Sequence, residues 1–287
     1  MMPGALESVR LHDTGGGRRW PARDASAHLG SGVASGADLA PMGGVSLDES
    51  TPDGPAPLLV FGAHPDDVEF GVGGVLAVEA ARRRAIHVVI GSRGEAATSG
   101  TPEQREAEAR AGAEILGATV EWVELGGDAH FEVTQERTLA LAAIIRRVRP
   151  GVVMAPTVVP DQHPDHAVLG RMVRDAARLA RYGGVAELKP APAHAVGAIL
   201  HYSITTEAEP VGEVPVVIDV SAVVATWTEA MRAHGSQAAT RNYVDLQLAR
   251  ARVLGLRSGV EHAIALWPAD PLVFDGIEAL GRGARRF

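Results

Sequence analysis

The sequence predicts an α/β protein in which helices cover both faces of a mostly parallel sheet, a three-layer α/β/α architecture. Three observations support this prediction. Apolar runs suited to buried strands begin at Leu58. Amphipathic, helix-like segments alternate with these runs, and this order is typical of parallel strands joined by crossover helices. Glycine and proline mark the ends of the segments, as expected where strand and helix turn into loop.

The first half of this pattern has the clearest signals. The run 58–63, LLVFGA, is uninterrupted apolar sequence and is typical of a strand buried on both faces. In the segment 101–117, Thr101 can cap a helix, Pro102 occupies its first position and Gln104 can close a capping box. The strands predicted here are 58–63, 86–91, 119–125 and 151–155. The helices predicted here are 71–84, 101–117, 135–149 and 165–182.

The pattern loosens after Tyr182, although alternation continues. Further strands are predicted over 195–205, 214–220 and 260–267. Helices are predicted over 221–235, with Ser221 as its cap, and over 240–254. Together these elements predict a Rossmann-like sheet of order 3-2-1-4 plus C-terminal strands, formed by one domain over 58–287.

The first 57 residues differ from the rest in composition. They contain 10 Gly, 6 Pro and 6 Ser and show neither helical nor strand periodicity. Such a stretch buries too little apolar surface to offset the entropy of ordering it. It also lacks the apolar core of a secretory signal. We therefore expect 1–57 to be a disordered leader.

The overall composition excludes several classes of protein. The chain has 287 residues, no Cys and 11 His, so disulfides, thiolate nucleophiles and Cys-ligated metal sites are excluded. The formal net charge of −8 disfavours a nucleic-acid binder. No apolar run is long enough for a transmembrane helix, so we predict no membrane partner and a cytoplasmic location. A transition metal would have to be held by His, Asp and Glu.

Two similar loops carry the candidate chemistry. His-Pro-Asp-Asp at 64–67 follows the first strand, and His-Pro-Asp-His at 163–166 follows the fourth. In a sheet of order 3-2-1-4, strands one and four are neighbours where the winding reverses, and ligands bind at their carboxyl ends. Both loops therefore open into one crevice. Two imidazoles and a carboxylate from these loops would leave coordination positions open, as in a catalytic metal site. A further carboxylate nearby could act as general base.

These residues resemble a known family, the LmbE-like or PIG-L zinc-dependent de-N-acetylases. The stretches FGAHPDDVEFGVGG (61–74) and QHPDHAVLG (162–170) carry the resemblance, which extends to 92–118 and to MRAHGSQ (231–237). It implies an enzyme that hydrolyses the N-acetyl amide of an N-acetylglucosamine-type conjugate and releases acetate. Within the family, the HPDDVEFG and RGE…GTPE stretches look most like the bacillithiol-pathway branch.

The resemblance also implies roles for individual residues. The implied ligands of Zn²⁺, with Fe²⁺ as an alternative, are His64, Asp67 and His166. The implied catalytic residues are Asp66 as general base, His163 as the imidazole that assists the leaving amine, and Asp165, which orients His163. The implied substrate contacts are Arg93, Glu95 and His234. Asp161 stands where some relatives have Tyr. Homo-oligomers are common among relatives, although no stripe of this sequence indicates an interface.

Three other functions share some of these sequence features. The glycines at 71–74 resemble a dinucleotide fingerprint, but two aspartates lie between them and the strand, where a pyrophosphate would meet negative charge. A non-haem iron enzyme could use the same two histidines and carboxylate. A sugar-binding module without activity is the remaining alternative. The expected partner of the predicted hydrolase is a small N-acetylated amino sugar.

Overall fold

The computed structural model describes residues 54–160, 163–239 and 242–284. Most of the predicted leader, up to residue 53, lies outside this described part, as does Asp161. The strands are β1 (Leu58–Gly62), β2 (Ile86–Ile90), β3 (Thr119–Trp122), β4 (Val152–Pro156), β5 (Ala198–Tyr202), β6 (Val216–Asp219) and β7 (Ala263–Pro268). The helices are α1 (Asp67–Ala81), α2 (Pro102–Ile115), α3 (Gln135–Val148), α4 (Pro164–Arg181), α5 (Val224–Arg232), α6 (Gly235–Ala238) and α7 (Tyr243–Ser258).

The described strands form one sheet of order β3-β2-β1-β4-β5-β7-β6. The five strands from β3 to β5 are parallel. β7 runs antiparallel to both β5 and β6, and β6 forms this edge of the sheet. The predicted α/β class and the order 3-2-1-4 with added C-terminal strands are therefore confirmed. Since β1 lies between β2 and β4, the winding reverses between β1 and β4.

The two faces of the sheet bury separate apolar cores. Leu58 and Val60 of β1 point to one face, where they meet residues of α1, α5 and α7. Leu59 and Phe61 point to the other face and meet residues of α3 and α4. All four of these side chains are buried. This double burial explains why β1 is a continuous apolar run rather than an alternating one.

Some helix starts and caps differ from prediction, among them the start of α1 at the His-Pro-Asp-Asp loop. The first helix begins at Asp67 rather than at residue 71, so it carries an acidic residue of the His-Pro-Asp-Asp loop in its first turn. In α2, Thr101 does accept a hydrogen bond from the amide of Gln104, as predicted. The side chain of Gln104 instead bonds Glu108, so the predicted capping box does not close. Ser221 lies in a 3₁₀ turn before α5 rather than at its cap.

Among the described helices, none combines the length and the apolarity needed to cross a bilayer.

One buried arginine ties α3 to the chain after α4. Arg146 is almost completely buried. Its guanidinium donates to the carbonyl oxygens of Ala180, Tyr182, Leu188 and Ala191, at distances between 2.5 and 2.9 Å. These carbonyls belong to the end of α4 and the loop that leads to β5. A charged donor satisfies four buried acceptors here, and no apolar side chain could replace it.

We predict that Arg146→Met lowers the free energy of unfolding by about 3 kcal/mol, because four carbonyls lose their donor inside the protein. Denaturant unfolding measures this loss. The control is Arg147→Met, which removes an exposed arginine paired with Glu121 and should change stability by less than about 1 kcal/mol. Equal effects for the two variants would contradict the role given to Arg146.

Candidate metal centre

The two histidine–aspartate loops meet at the carboxyl ends of β1 and β4. These strands pair in parallel, so the residues that follow them share one edge of the sheet. His64 follows β1 and His166 lies in the first turn of α4, yet His64 Nδ1 and His166 Nε2 are 3.2 Å apart. The two loops therefore meet at one edge of the sheet, as the strand order predicts.

His64, Asp67 and His166 form a compact group of three possible metal ligands. His166 Nε2 lies 3.0 Å from Asp67 Oδ1, and His64 Nδ1 lies 3.5 Å from Asp67 Oδ2. Ligand atoms of a tetrahedral zinc site are separated by about 3.3–3.5 Å, given zinc–ligand distances near 2.1 Å. The three observed separations are close to that value. The donor set therefore fits a divalent metal ion with further positions left for other ligands.

Backbone amides fix the carboxylate of Asp67. Its Oδ2 accepts hydrogen bonds from the amides of Ala63 and His64, at 2.8 and 2.9 Å. Burial raises the pKa of Asp67, but the adjacent His166 and His64 outweigh burial and hold it well below its usual range. The carboxylate is therefore ionised, as metal binding requires.

Three acidic neighbours favour the protonated form of the His64 imidazole. Burial lowers the pKa of His64, whereas Asp67, Asp128 and Asp165 raise it, with a net result well above the usual value. Three carboxylates around one buried imidazole favour positive charge at this point. A metal ion would satisfy the same carboxylates, and its binding would release this proton.

Asp128 and Asp165 contact the other nitrogen of His64. The Nε2 atom is 3.0 Å from Asp128 Oδ1 and 3.3 Å from Asp165 Oδ2. Asp165 also accepts hydrogen bonds from the amides of Ala129 and Phe131. A carboxylate on the outer nitrogen fixes the tautomer and orientation of a ligating histidine and raises its basicity. His64 thus has its Nδ1 free to face the possible metal.

The structure changes the role expected for Asp165. We predicted that it orients His163, but their closest side-chain atoms are 3.8 Å apart, and the nearer imidazole is His64. His163 instead caps α4 by accepting a hydrogen bond from the amide of Asp165. Its side chain is about one-third exposed. Burial and the charge of His64 lower the pKa of His163, so its imidazole favours the neutral form.

Asp66 occupies a strained turn beside the metal ligands. Its φ is 117°, in a region that residues with a side chain rarely adopt. Burial and the charge of Asp67 raise the pKa of Asp66 to about 6, although Arg105 opposes them. A carboxylate that titrates near this value suits general base chemistry at neutral pH. The position and the pKa of Asp66 both suit its predicted role.

Arg105 supports this turn and was not among the residues predicted from the sequence. Its buried guanidinium donates to the carbonyl of Pro65 at 2.8 Å, to Asp66 Oδ2 at 3.3 Å and to the carbonyl of Gly94 at 3.1 Å. Helical spacing could have revealed it, because Arg105 shares its face with Ala109 and Ala113, which are both buried. An arginine on the apolar face of a helix indicates an internal partner.

The three predicted substrate contacts lie in different surroundings, and their contact with substrate stays a prediction. Arg93 is exposed and pairs with Glu103 and Glu106 of α2. Glu95 accepts a hydrogen bond from the amide of Asp128 at 2.7 Å, so it holds the loop that positions Asp128. Neither side chain contacts the possible metal ligands in the described part of the chain.

His234 lies in the interior of the protein. It is completely buried and lies 3.3 Å from Glu69, an acidic residue in the first turn of α1. Its contact with substrate stays a prediction. His234 is internal because it stands at the junction of α5 and α6, which pack between α2 and α7.

Asp128 was also not predicted from the sequence. It follows β3 in a glycine-containing loop, with no histidine–aspartate motif beside it. The one available signal was its position after a parallel strand, because the carboxyl ends of β3, β2, β1 and β4 share one edge. Many loop aspartates are in such positions, so spacing could not have singled it out.

Comparison with known proteins supports one family. Residues 59–177 match the family described as PIG-L: GlcNAc-PI de-N-acetylase. A conserved protein of Thermus thermophilus has a crystal structure that is 31% identical in sequence, with a TM-score of 0.69. That alignment covers 76% of this chain and 97% of the other.

Two further relatives have named activities. A 4-oxalmesaconate hydratase of Pseudomonas putida is 32% identical over 138 residues, 44% of this chain and 53% of the relative. The chain thus spans about half the length of this curated relative. An N,N′-diacetylchitobiose deacetylase of Pyrococcus horikoshii shares the fold, with a TM-score of 0.64 and 20% identity over 74% of this chain and 83% of the other.

We predict that Asp128→Asn weakens zinc binding by about 10-fold or more, because His64 loses a carboxylate on its outer nitrogen. Titration of the purified protein with zinc against a competing chelator measures the affinity. Asp175→Asn is the control, since Asp175 is an exposed acid on α4 that pairs with Arg178. An unchanged affinity in Asp128→Asn would show that this contact does not support the metal ligands.

Proposed function

Since the chain belongs to the PIG-L family of GlcNAc-PI de-N-acetylases, we propose that it is a metal-dependent hydrolase of N-acetylated amino sugars. The proposed substrate is an N-acetylglucosamine-type conjugate, and the products are acetate and the free amine. One observation carries this proposal more than any other. Three possible metal ligands converge at the carboxyl ends of β1 and β4, and the carboxylate of Asp66 stands in the turn directly beside them.

We assign His64, Asp67 and His166 as the ligands of a zinc ion, with Fe²⁺ as the alternative. Such an ion supplies Lewis acidity, which lowers the pKa of a water molecule and polarises the amide carbonyl. The short separations between the three ligand atoms support this assignment. Asp165 and Asp128 hold His64 in the orientation that presents Nδ1 to the ion.

Asp66 and His163 accept and donate protons or hydrogen bonds during the proposed reaction. Asp66 accepts the proton of the attacking water, and Arg105 keeps the Asp66 carboxylate in place by donating to it and to the neighbouring carbonyl of Pro65. His163, at the exposed start of α4, can donate a hydrogen bond from its neutral imidazole to the oxygen of the reacting carbonyl and so assist departure of the amine. The departing amine takes up the proton that Asp66 accepted from the water. The partial exposure of His163 is what a group that meets substrate needs.

A hydratase is the second candidate, favoured by the 32% identity to 4-oxalmesaconate hydratase. Hydration of a carbon–carbon double bond also needs a water molecule and a general base, so the same Asp66 could serve. The two reactions differ in their products. An N-acetyl amide releases acetate, whereas hydration of an unsaturated acid removes its ultraviolet absorbance and releases nothing.

A direct experiment separates these functions. The purified protein is loaded with zinc or Fe²⁺ and incubated with a panel of N-acetylglucosamine conjugates, and acetate release is measured beside the metal content. A parallel reaction follows the absorbance of 4-oxalmesaconate. Chelator-sensitive acetate release supports the deacetylase, and turnover of the unsaturated acid alone supports the hydratase. Turnover of neither, by protein with metal bound, would contradict both proposals.

We predict that Asp66→Ala lowers kcat by about 10²–10⁴-fold, because the attacking water loses its base, while the bound metal is retained. Steady-state acetate release and metal analysis of the same preparation test this. Asp67→Ala is the matched comparison and should lose the metal together with the activity. Near wild-type turnover in Asp66→Ala would refute the assignment of the base.

A further inference from the structure

The first turn of α1 carries Asp66 and Asp67 but is not held by a cap of its own. Asp66 stands at the N-cap position with φ 117° and makes no side-chain capping hydrogen bond. A strained conformation of this kind persists only where the surroundings enforce it. Arg105 provides support from one side, through Pro65 and Asp66.

A buried ion pair lies against the other side of the same turn. Glu69 and His234 are both almost completely buried, and their Oε2 and Nε2 atoms are 3.3 Å apart. Within the described residues, neither atom makes a well-directed hydrogen bond, so the attraction is mainly between charges. Burial lowers the pKa of His234, but the charge of Glu69 outweighs burial and raises this pKa above its usual value. The charged imidazole is therefore favoured.

Stability alone is a poor explanation for this pair. Removing two charges from water costs several kcal/mol per ion, and well-packed apolar residues often stabilise a core as well or better. The pair occupies the boundary between α1 and α5, next to Trp227, whose indole donates to the carbonyl of Glu69 at 2.7 Å. Glu69 is thus held through both its backbone and its side chain.

His234 is itself fixed firmly enough to act as an anchor. Its carbonyl accepts hydrogen bonds from the amides of Gln237 and Ala238 of α6. Ser236 connects the same segment to α2, because its amide and hydroxyl both donate to Glu108. The backbone that carries the imidazole is therefore fixed by α6 and, through Ser236, by α2.

We propose that Glu69 and His234 are a positioning pair, which fixes the first turn of α1 and thereby the places of Asp66 and Asp67. This inference rests on the proposed function for its effect on turnover. It gives the MRAHGSQ segment a role: the segment holds the catalytic turn from behind and does not touch the substrate. The pair takes no part in proton transfer.

Gly112 offers a way to disturb the pair without altering either member. A Cβ atom at this position of α2 would lie 2.9 Å from Glu69 Oε1 and 3.1 Å from His234 Nε2. Gly112→Ala should therefore displace the carboxylate. Alanine is a better helix former than glycine, whereas the displaced pair opposes folding. Denaturant unfolding of Gly112→Ala therefore accompanies the activity measurement and shows that the variant is folded under the assay conditions.

The test compares Gly112→Ala and His234→Gln with His201→Gln. His201 is a similarly buried histidine on β5, bonded to the carbonyl of Pro156, and serves as control. We expect kcat for acetate release to fall by about 10–100-fold in the first two variants, as for a misplaced catalytic group. KM should change by less than about threefold. His201→Gln should keep the wild-type kcat.

Hydrogen exchange provides a readout that does not depend on the substrate. Amides in residues 63–70 should exchange at least about tenfold faster in Gly112→Ala and His234→Gln than in the wild type or His201→Gln. If these amides exchange faster in the two variants while the metal-loaded wild type releases no acetate, the positioning role stands and the proposed function is contradicted. Unchanged exchange in this segment, or an equal loss of kcat in His201→Gln, would overturn the positioning role.

Discussion

The parallel pairing of β1 with β4 is the constraint on which the site depends. Each strand ends in a loop with a histidine–aspartate motif, and the pairing places the two loops side by side although a long stretch of chain separates them. His64 and His166 meet at 3.2 Å only because these strands are neighbours. The rest of the fold holds the two strands in this register.

Four aspartates lie around that junction, and each has different surroundings and a different role. Asp67 is held ionised by two backbone amides and two imidazoles. Asp128 and Asp165 lie on the far side of His64 and determine which nitrogen it presents. Asp66 alone among these four has a raised pKa, because it is buried and shares the space with Asp67. Four acids of one chemical type thus differ in role through their surroundings, as expected for a site that binds a cation and moves a proton.

Much of this could be predicted from the sequence, for identifiable reasons. The sheet order could be predicted from the apolar run of β1 and the alternation of strands with helices. A strand buried on both faces is recognisable because its sequence is continuously apolar. The two loops were recognisable since histidine, proline and aspartate recur at fixed spacing. Arg105, Asp128 and Glu69 were not recognised, because each acts through contacts with residues far along the chain. The sequence singled out His234 but did not predict its burial against Glu69, since a sequence pattern does not show which residues surround a helix junction.

We place the ion between the two loops, bound by His64 Nδ1, Asp67 and His166. His64 also borders a second group that could hold a cation, formed with Asp128, His163 and Asp165. Anomalous diffraction at the zinc edge from crystals of the zinc-loaded protein distinguishes the two positions. We expect one strong peak within about 2.3 Å of His64 Nδ1, an Asp67 oxygen and His166 Nε2. A peak on the Nε2 side of His64, among Asp128, His163 and Asp165, would contradict this placement.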